Sequence, residues 1–284
     1  MASSLAGKLE IHMATDVGRV RDHNEDFVSA DDRLGIALLA DGMGGLNAGE
    51  VASSMSVHFL MDELRAYRAD GSLYEAELND QPQPEGEEPL GTEARVVKMA
   101  VERANSAVFH VSQTQPQCRS MGTTVVAMLF HDNRVSIAHI GDSRAYRFRD
   151  NQLEQITKDH SFVQELLDKG LYTEEEARNS DRKNVVTRAL GIAPNVNVEV
   201  HEHEAQVGDV FLACSDGLTD LVDDADIETS MRELSGDLQE TAAHLINVSN
   251  ASGGKDNISV VLCRVVKPFG AESGLIDRIV NWFE

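Results

Sequence analysis

The chain has 284 residues, 42% hydrophobic and 26% charged, a composition that can bury a substantial core and excludes global disorder. Its 25 basic and 48 acidic residues leave a formal charge of −23, a field that repels nucleic-acid phosphates and excludes a general nucleic-acid binder. The same field opposes a phosphorylated ligand unless positive charge is supplied locally, as a group of divalent cations would do. No run approaches the roughly 18 to 20 uncharged apolar residues of a membrane span. MASSLAGKLEIHMATD shows no basic stretch leading into an apolar one. Cys118, Cys214 and Cys263 are odd in number, far apart and outside any CxxC pair, which argues against a disulfide framework or a zinc site. These features predict a soluble, cytoplasmic protein; a monomer is expected, although none of them fixes the oligomeric state.

In chain order, KLEIHMATD alternates as a strand does, and DFVSADDRLGIALLAD reads as two strand runs joined by a polar turn at Asp31–Gly35. AGEVASSMSVHFLMDELRAY predicts a helix with Val51, Met55 and Phe59 on one face. The acidic, proline-bearing stretch at about 70–93 is expected to be a surface loop. The following helix carries Val97, Val101, Ala104, Val108 and Val111 at helical spacing. TTVVAMLF, VSIAHIGDSRAYRF and LEQIT read as a β-meander with two short polar turns, and Lys158 to Leu190 as helical and polar. VNVEVHEHEAQVGDVFLACSDG reads as two strands turning at Gly208-Asp209, Asp224 to Asn250 as helical, and NISVVLCRVV as a last strand. Strand runs punctuated by paired helices indicate an α+β protein. The tail at 269–284 could form a short amphipathic helix with Leu275, Ile279 and Trp282 on one side, to dock on the body, bind a partner or touch a membrane.

Carboxylates recur where apolar runs meet turns: LLADG at Asp41, IAHIGDSR at Asp142, FLACSDG at Asp216 and GGKDNISV at Asp256, with Glu25 and Asp26 in RDHNED. An aspartate in any one turn is ordinary. Four at sheet ends, three beside glycine, suit a hard cation such as Mg²⁺ or Mn²⁺, which takes oxygen ligands and keeps several waters. Acids this close raise each other's pKa unless a counter-charge is present, and bound metal is the obvious one.

RVRDHNED, LADGMGG, MGTT, IGDSRAY, KDHS, VTRALG, CSDGL and KDNIS occur in the order found in metal-dependent Ser/Thr protein phosphatases of the type 2C class. The chain resembles a bacterial-type member of that family from about Thr15 to Val266. The resemblance implies a four-layer α-β-β-α sandwich with two mostly antiparallel central sheets and the metal site at one edge. It implies one phosphatase domain over 1–268, with a flap at about 158–190, followed by the tail. Asp41 would bridge two tightly held Mg²⁺ or Mn²⁺ ions, with the Gly42 carbonyl on one and Asp216 and Asp256 on the other. Glu25 and Asp26 would act through water, Asp142 with Asp216 would hold a weaker third ion, and Arg21 would grip the substrate phosphate.

The implied activity is hydrolysis of phosphoserine and phosphothreonine in proteins by an activated water, without a phosphoenzyme, reversing a cognate Ser/Thr kinase. The alternative is a catalytically weak regulatory module that binds phosphoproteins. Many eukaryotic members carry histidine at the third position of the DG-x-G motif, where this chain has Met43. His160 in KDHS is a candidate for the general acid, with a cap or packing role as the alternative; His23 is a weaker candidate.

Overall fold

A computed structural model describes residues 4–45, 48–80, 89–178, 180–234 and 236–270. The chain starts with β1 (Leu9–Asp16), β2 (Asp26–Asp31) and β3 (Ile36–Met43), then α1 (Ala48–Ala69), α2 (Ser72–Asp80) and α3 (Thr92–Thr114). Next come β4 (Gly122–Thr123), β5 (Val125–His131), β6 (Arg134–Ile140), β7 (Arg144–Arg149) and β8 (Gln152–Gln155). Two short helices follow, α4 (Phe162–Asp168) and α5 (Glu174–Arg178), then β9 (Glu199–Glu204) and β10 (Val210–Cys214). The series closes with α6 (Asp216–Thr219), α7 (Asp224–Leu234), α8 (Leu238–Ala251) and β11 (Ile258–Val265).

The strands form two antiparallel sheets, ordered β1-β11-β10-β7-β8 and β2-β3-β5-β6-β9, with β4 paired to the end of β3. Three apolar layers separate four structural ones. Val126, Met128 and Phe130 of β5 meet Phe211 and Ala213 of β10 and Val261 of β11 between the sheets, with Phe130 edge-on to Phe211 at 5.5 Å. Burying side chains of this size stabilises by about 1.5–3 kcal/mol each. On the outer faces, α1 and α3 cover Leu38, Val125 and Leu129, while α7 and α8 cover Leu212, Val260 and Leu262. Both sides of β5 are thus covered, which explains an uninterrupted apolar run where a half-exposed strand would alternate. This is the expected α-β-β-α sandwich.

Several local expectations change. Helix α1 buries Gly49, Ala52, Ser53, Ser56, Val57, Leu60, Met61 and Leu64, whereas Val51 is 42% exposed and Met55 and Phe59 are partly buried. Small residues face inward over the first two turns because the helix must approach the end of β3 closely. The apolar spacing of α3 behaves as expected, with Val97, Val101, Ala104 and Val108 buried and Val111 partly so.

The expected β-meander is divided: β5 pairs with β6 and β7 with β8, but β6 and β7 lie in different sheets. The chain changes sheets through Gly141, whose φ of +102° is open to glycine. Strands β9 and β10 likewise belong to different sheets, pairing with β6 and with β7 and β11. Within the presumed acidic loop, Ser72–Asp80 is helical, because Tyr74 and Leu78, one turn apart, bury against α1 and α3. The flap is less helical than expected: beyond α4 and α5 it runs in turns. The tail beyond Gly270 lies outside the described residues.

Candidate metal centre

Antiparallel pairing brings the acids to one rim. Asp26 opens β2 directly opposite Asp41 near the end of β3. Asp142 sits where the chain passes from β6 to β7, Asp216 starts α6 just after β10, and Asp256 stands two residues before β11. Each of these strand ends reaches the same edge of the sandwich because neighbouring strands run in opposite directions.

The backbone around Asp41 is held in place. Its N–H donates to Thr124 Oγ1 at 3.0 Å, and its carbonyl accepts from the Thr124 N–H and Thr123 Oγ1, each at 2.8 Å. Gly42 donates its N–H to the Glu25 carbonyl at 3.1 Å. A Cβ on Gly42 would stand 2.2 Å from the Gly49 carbonyl oxygen, and one on Gly49 would stand 2.7 Å from the Glu25 carboxyl carbon. Glycine at both positions is a requirement of this close approach between the loop, the helix start and Glu25. Asn257 ties the facing loop down, accepting from the Glu25 N–H at 2.8 Å and donating to the Val17 and His23 carbonyls.

Electrostatically the rim is under strain. The Asp41 carboxyl is pushed well above the usual range by burial, then by Asp26, Asp216, Asp142 and Asp256. Asp216 is pushed up by burial, then by Asp142, Asp220, Asp256 and Asp26. Burial raises Asp26 to about 6 despite the hydrogen bond from Ser215, and burial followed by Asp159 raises Asp142 to about 6. Asp26 Oδ2 accepts from Ser215 Oγ at 2.8 Å, but Asp26 Oδ1 and Asp216 Oδ1 are buried with no donor. Unpartnered buried carboxylate oxygens are costly unless a cation meets them. An all-oxygen donor set with unsatisfied lone pairs and mutual repulsion fits hard divalent cations.

Arg21 reaches this rim, its Nη2 donating to Asp256 Oδ2 at 2.6 Å. His23 Nε2 lies 3.3 Å from Glu25 Oε1. A cleft of about 720 Å³ opens from Asp142 and Asp216 between the flap, at Val163 and Lys183, and the α6–α7 segment at Asp220 and Val222. Lys183 and Asn184 of the flap contact Asp220 at 3.3 and 2.8 Å.

The structure thus gathers Asp26, Asp41, Asp142, Asp216 and Asp256, with Glu25 and Arg21 beside them. His160 is placed differently: 5% exposed, it has Nδ1 against the Gly141 N–H and Nε2 against Glu199. Sequence reasoning missed Thr124, Ser215, Asn257 and Gly49 as supports. The first three lie inside the MGTT, CSDGL and KDNIS motifs; Ser215 and Asn257 each adjoin an acid, which was the available signal for them, whereas Thr124 had only its place in a motif.

Residues 17–250 match the family model described as Protein phosphatase 2C. The chain is 38% identical over 252 residues to the serine/threonine phosphatase stp of Listeria welshimeri, covering 87% of this chain and 92% of that protein. It is 41% identical over 253 residues to the serine/threonine protein phosphatase PstP of Mycobacterium tuberculosis, covering 89% of this chain and 44% of that protein. The crystal structure of the M. tuberculosis PstP/Ppp superposes with a TM-score of 0.77 at 37% identity, over 91% of this chain and 99% of that one. The PstP catalytic domain in complex with two manganese ions gives 0.74 at 39% identity, over 91% and 99%. The chain belongs to the protein phosphatase 2C family.

Proposed function

We propose that this protein hydrolyses phosphoserine and phosphothreonine in proteins, using two tightly held Mn²⁺ or Mg²⁺ ions and a weaker third. The observation that carries the reading is the partly buried aspartate rim, with the Asp26 Oδ1 and Asp216 Oδ1 atoms buried and lacking donors. It is supported by the relative PstP, whose catalytic domain was solved with two manganese ions. When bound, the cations supply Lewis-acid charge to phosphoryl oxygens and lower the pKa of an attacking water.

The chain's own residues would do the rest. Asp41 would bridge the tight pair, helped by the Gly42 carbonyl, while Asp216 and Asp256 hold one member. Glu25 and Asp26 would accept from waters and so orient them. Asp142 with Asp216 would hold the third ion. Arg21, half-exposed at the rim, would swing from Asp256 to donate to the phosphate oxygens, supplying the local positive charge that the acidic surface withholds. Substrates would be phosphoproteins made by a cognate Ser/Thr kinase, met in the cytoplasm by a monomer. No described helix is long and apolar enough to cross a membrane.

Phosphate release from a phosphothreonine peptide, with Mn²⁺ and with EDTA, tests the reading. Turnover with Mn²⁺ and none with EDTA is expected. Tight peptide binding without turnover would favour the regulatory binding module instead.

A further inference from the structure

Strands β6 and β9 pair with His139 opposite Glu199 and Ile137 opposite His201. His160, from the loop after β8, lies flat on His139, with ring centroids 4.6 Å apart and planes 20° from parallel. His139, His160 and Glu199 are near enough to one another to suggest a metal site. Their hydrogen bonds assign the cluster a different role.

The Gly141 N–H can only donate, so His160 Nδ1, 3.1 Å away, accepts. The neutral ring then carries its proton on Nε2, which donates to Glu199 Oε2 at 3.1 Å. No lone pair on His160 remains for a metal ion. The Glu199 carboxyl is held below its usual range, first by the hydrogen bond from His160 and then by the nearby His201, whose Nε2 lies 3.2 Å from Oε1. His139 donates Nε2–H to the Lys158 carbonyl at 2.9 Å and backs the His160 ring.

These contacts converge on Asp142. The residue before it, Gly141, is held twice by His160, through the ring and through a backbone bond from the His160 N–H to the Gly141 carbonyl at 2.8 Å. The residue after it, Ser143, shares a hydrogen bond with Thr124 Oγ1 at 2.7 Å. That oxygen also accepts the Asp41 N–H. The flap meets the same histidine: the Thr187 N–H donates to the His160 carbonyl at 2.7 Å.

We propose that His160 and Glu199 are positioning residues: the carboxylate fixes the imidazole tautomer, the imidazole fixes Gly141, and Gly141 aims Asp142 at the weaker third cation. The same histidine joins the C-terminal end of the flap to that cation's ligand. The proposal rests on reading Asp142 as a ligand of the third ion. A carboxylate–histidine pair commonly orients a metal ligand directly, whereas here it acts on the neighbouring peptide.

The test compares His160→Leu, His160→Asn, Glu199→Leu, Glu199→Gln and Asp142→Ala in the full chain. Mn²⁺ activation curves are measured on a phosphothreonine peptide and on p-nitrophenyl phosphate, with calorimetric titration of the tight sites. In His160→Leu the Mn²⁺ concentration for half-activation at the weak site should rise roughly tenfold or more. Its kcat should fall on both substrates, with KM and tight-site binding unchanged. His160→Asn keeps an acceptor for the Gly141 N–H and should recover much of the loss. Glu199→Leu should show a smaller shift, and Glu199→Gln, which can still accept from Nε2, almost none.

Should His160→Leu fail to fold, Glu199→Leu carries the test, since that side chain is 37% exposed. Variants that lower the melting temperature but leave the activation curve in place would overturn the proposal and make His160 a packing residue. A loss confined to the peptide, whose alkoxide leaving group needs a proton, would overturn it in favour of a general acid. A curve unmoved by Asp142→Ala would instead overturn the third-cation reading itself, whatever the His160 variants do.

Discussion

Replacing Arg21 with alanine separates the two partners that this side chain would serve. In the structure its guanidinium is bound to Asp256, Nη2 to Oδ2 at 2.6 Å, with side-chain exposures of 50% and 30%. An ion pair so open to water contributes about 0.2–1 kcal/mol. Removing it frees Asp256 for a cation, so Mn²⁺ affinity should stay level or rise by no more than about fivefold. The phosphate contact is different in kind. A charge-assisted hydrogen bond made in a partly desolvated cleft is worth about 1.5–3 kcal/mol, so Arg21→Ala should lower kcat/KM by roughly 10- to 150-fold. A rise in KM alone would mean the contact is equally strong in ground and transition states, and a fall in kcat that it tightens during transfer. Arg21→Lys keeps the charge but loses the fork and should fall between. The assay is steady-state kinetics on a phosphothreonine peptide at saturating Mn²⁺, with calorimetric Mn²⁺ titration of both proteins. Unchanged kcat and KM would refute the phosphate role and leave Arg21 as a partner of Asp256. A loss of Mn²⁺ affinity beyond tenfold would show that it builds the acidic rim.

Asp41→Asn should abolish phosphate release while leaving the protein folded. Its melting temperature in EDTA should be equal or higher, because a partly buried carboxylate repelled by four others is removed. Gly49→Ala should lower activity although alanine is the better helix former by about 1 kcal/mol: the new Cβ would meet the Gly42 carbonyl carbon at 2.8 Å and the Glu25 carboxylate. A variant of normal activity and raised stability would show that this approach can relax. His139→Gln tests a buried imidazole whose pKa burial holds at about 4. The neutral form is the one folded around, so its contribution is full above about 6.5 and is lost as pH falls through 4, up to about 3 kcal/mol. The carboxyls of Asp26 and Asp142, raised to about 6, act in the opposite sense in that window. The difference between wild type and variant in urea denaturation with EDTA, from pH 7 to 4, is therefore the readout. A constant difference would refute the role assigned to His139.

What the sequence determined by itself was chiefly local or carried by motifs. The apolar runs ending on Asp41, Asp142 and Asp216, and the one beginning just after Asp256, marked strand ends. The burial of α3 followed from its 3.6-residue spacing, because one face of an isolated period is enough to define a stripe. The order of eight short motifs identified the family where no single acid could. Tertiary structure decided everything that depends on a distant partner. The runs VSIAHI and RAYRF are both good strands, and nothing local in either says that the chain changes sheets between them. That follows from β6 pairing with β5 and β9, and β7 with β10 and β8. The inward face of α1 could not be read from Val51, Met55 and Phe59, because hydrophobicity marks the larger side chains, whereas the contact with β3 demands small ones such as Gly49, Ala52 and Ser53. Asn257 and His160 stood in visible motifs, but their work is to hold Glu25, His23 and Gly141. Those hydrogen bonds span 232, 234 and 19 residues of sequence, and only the closed fold brings their ends together.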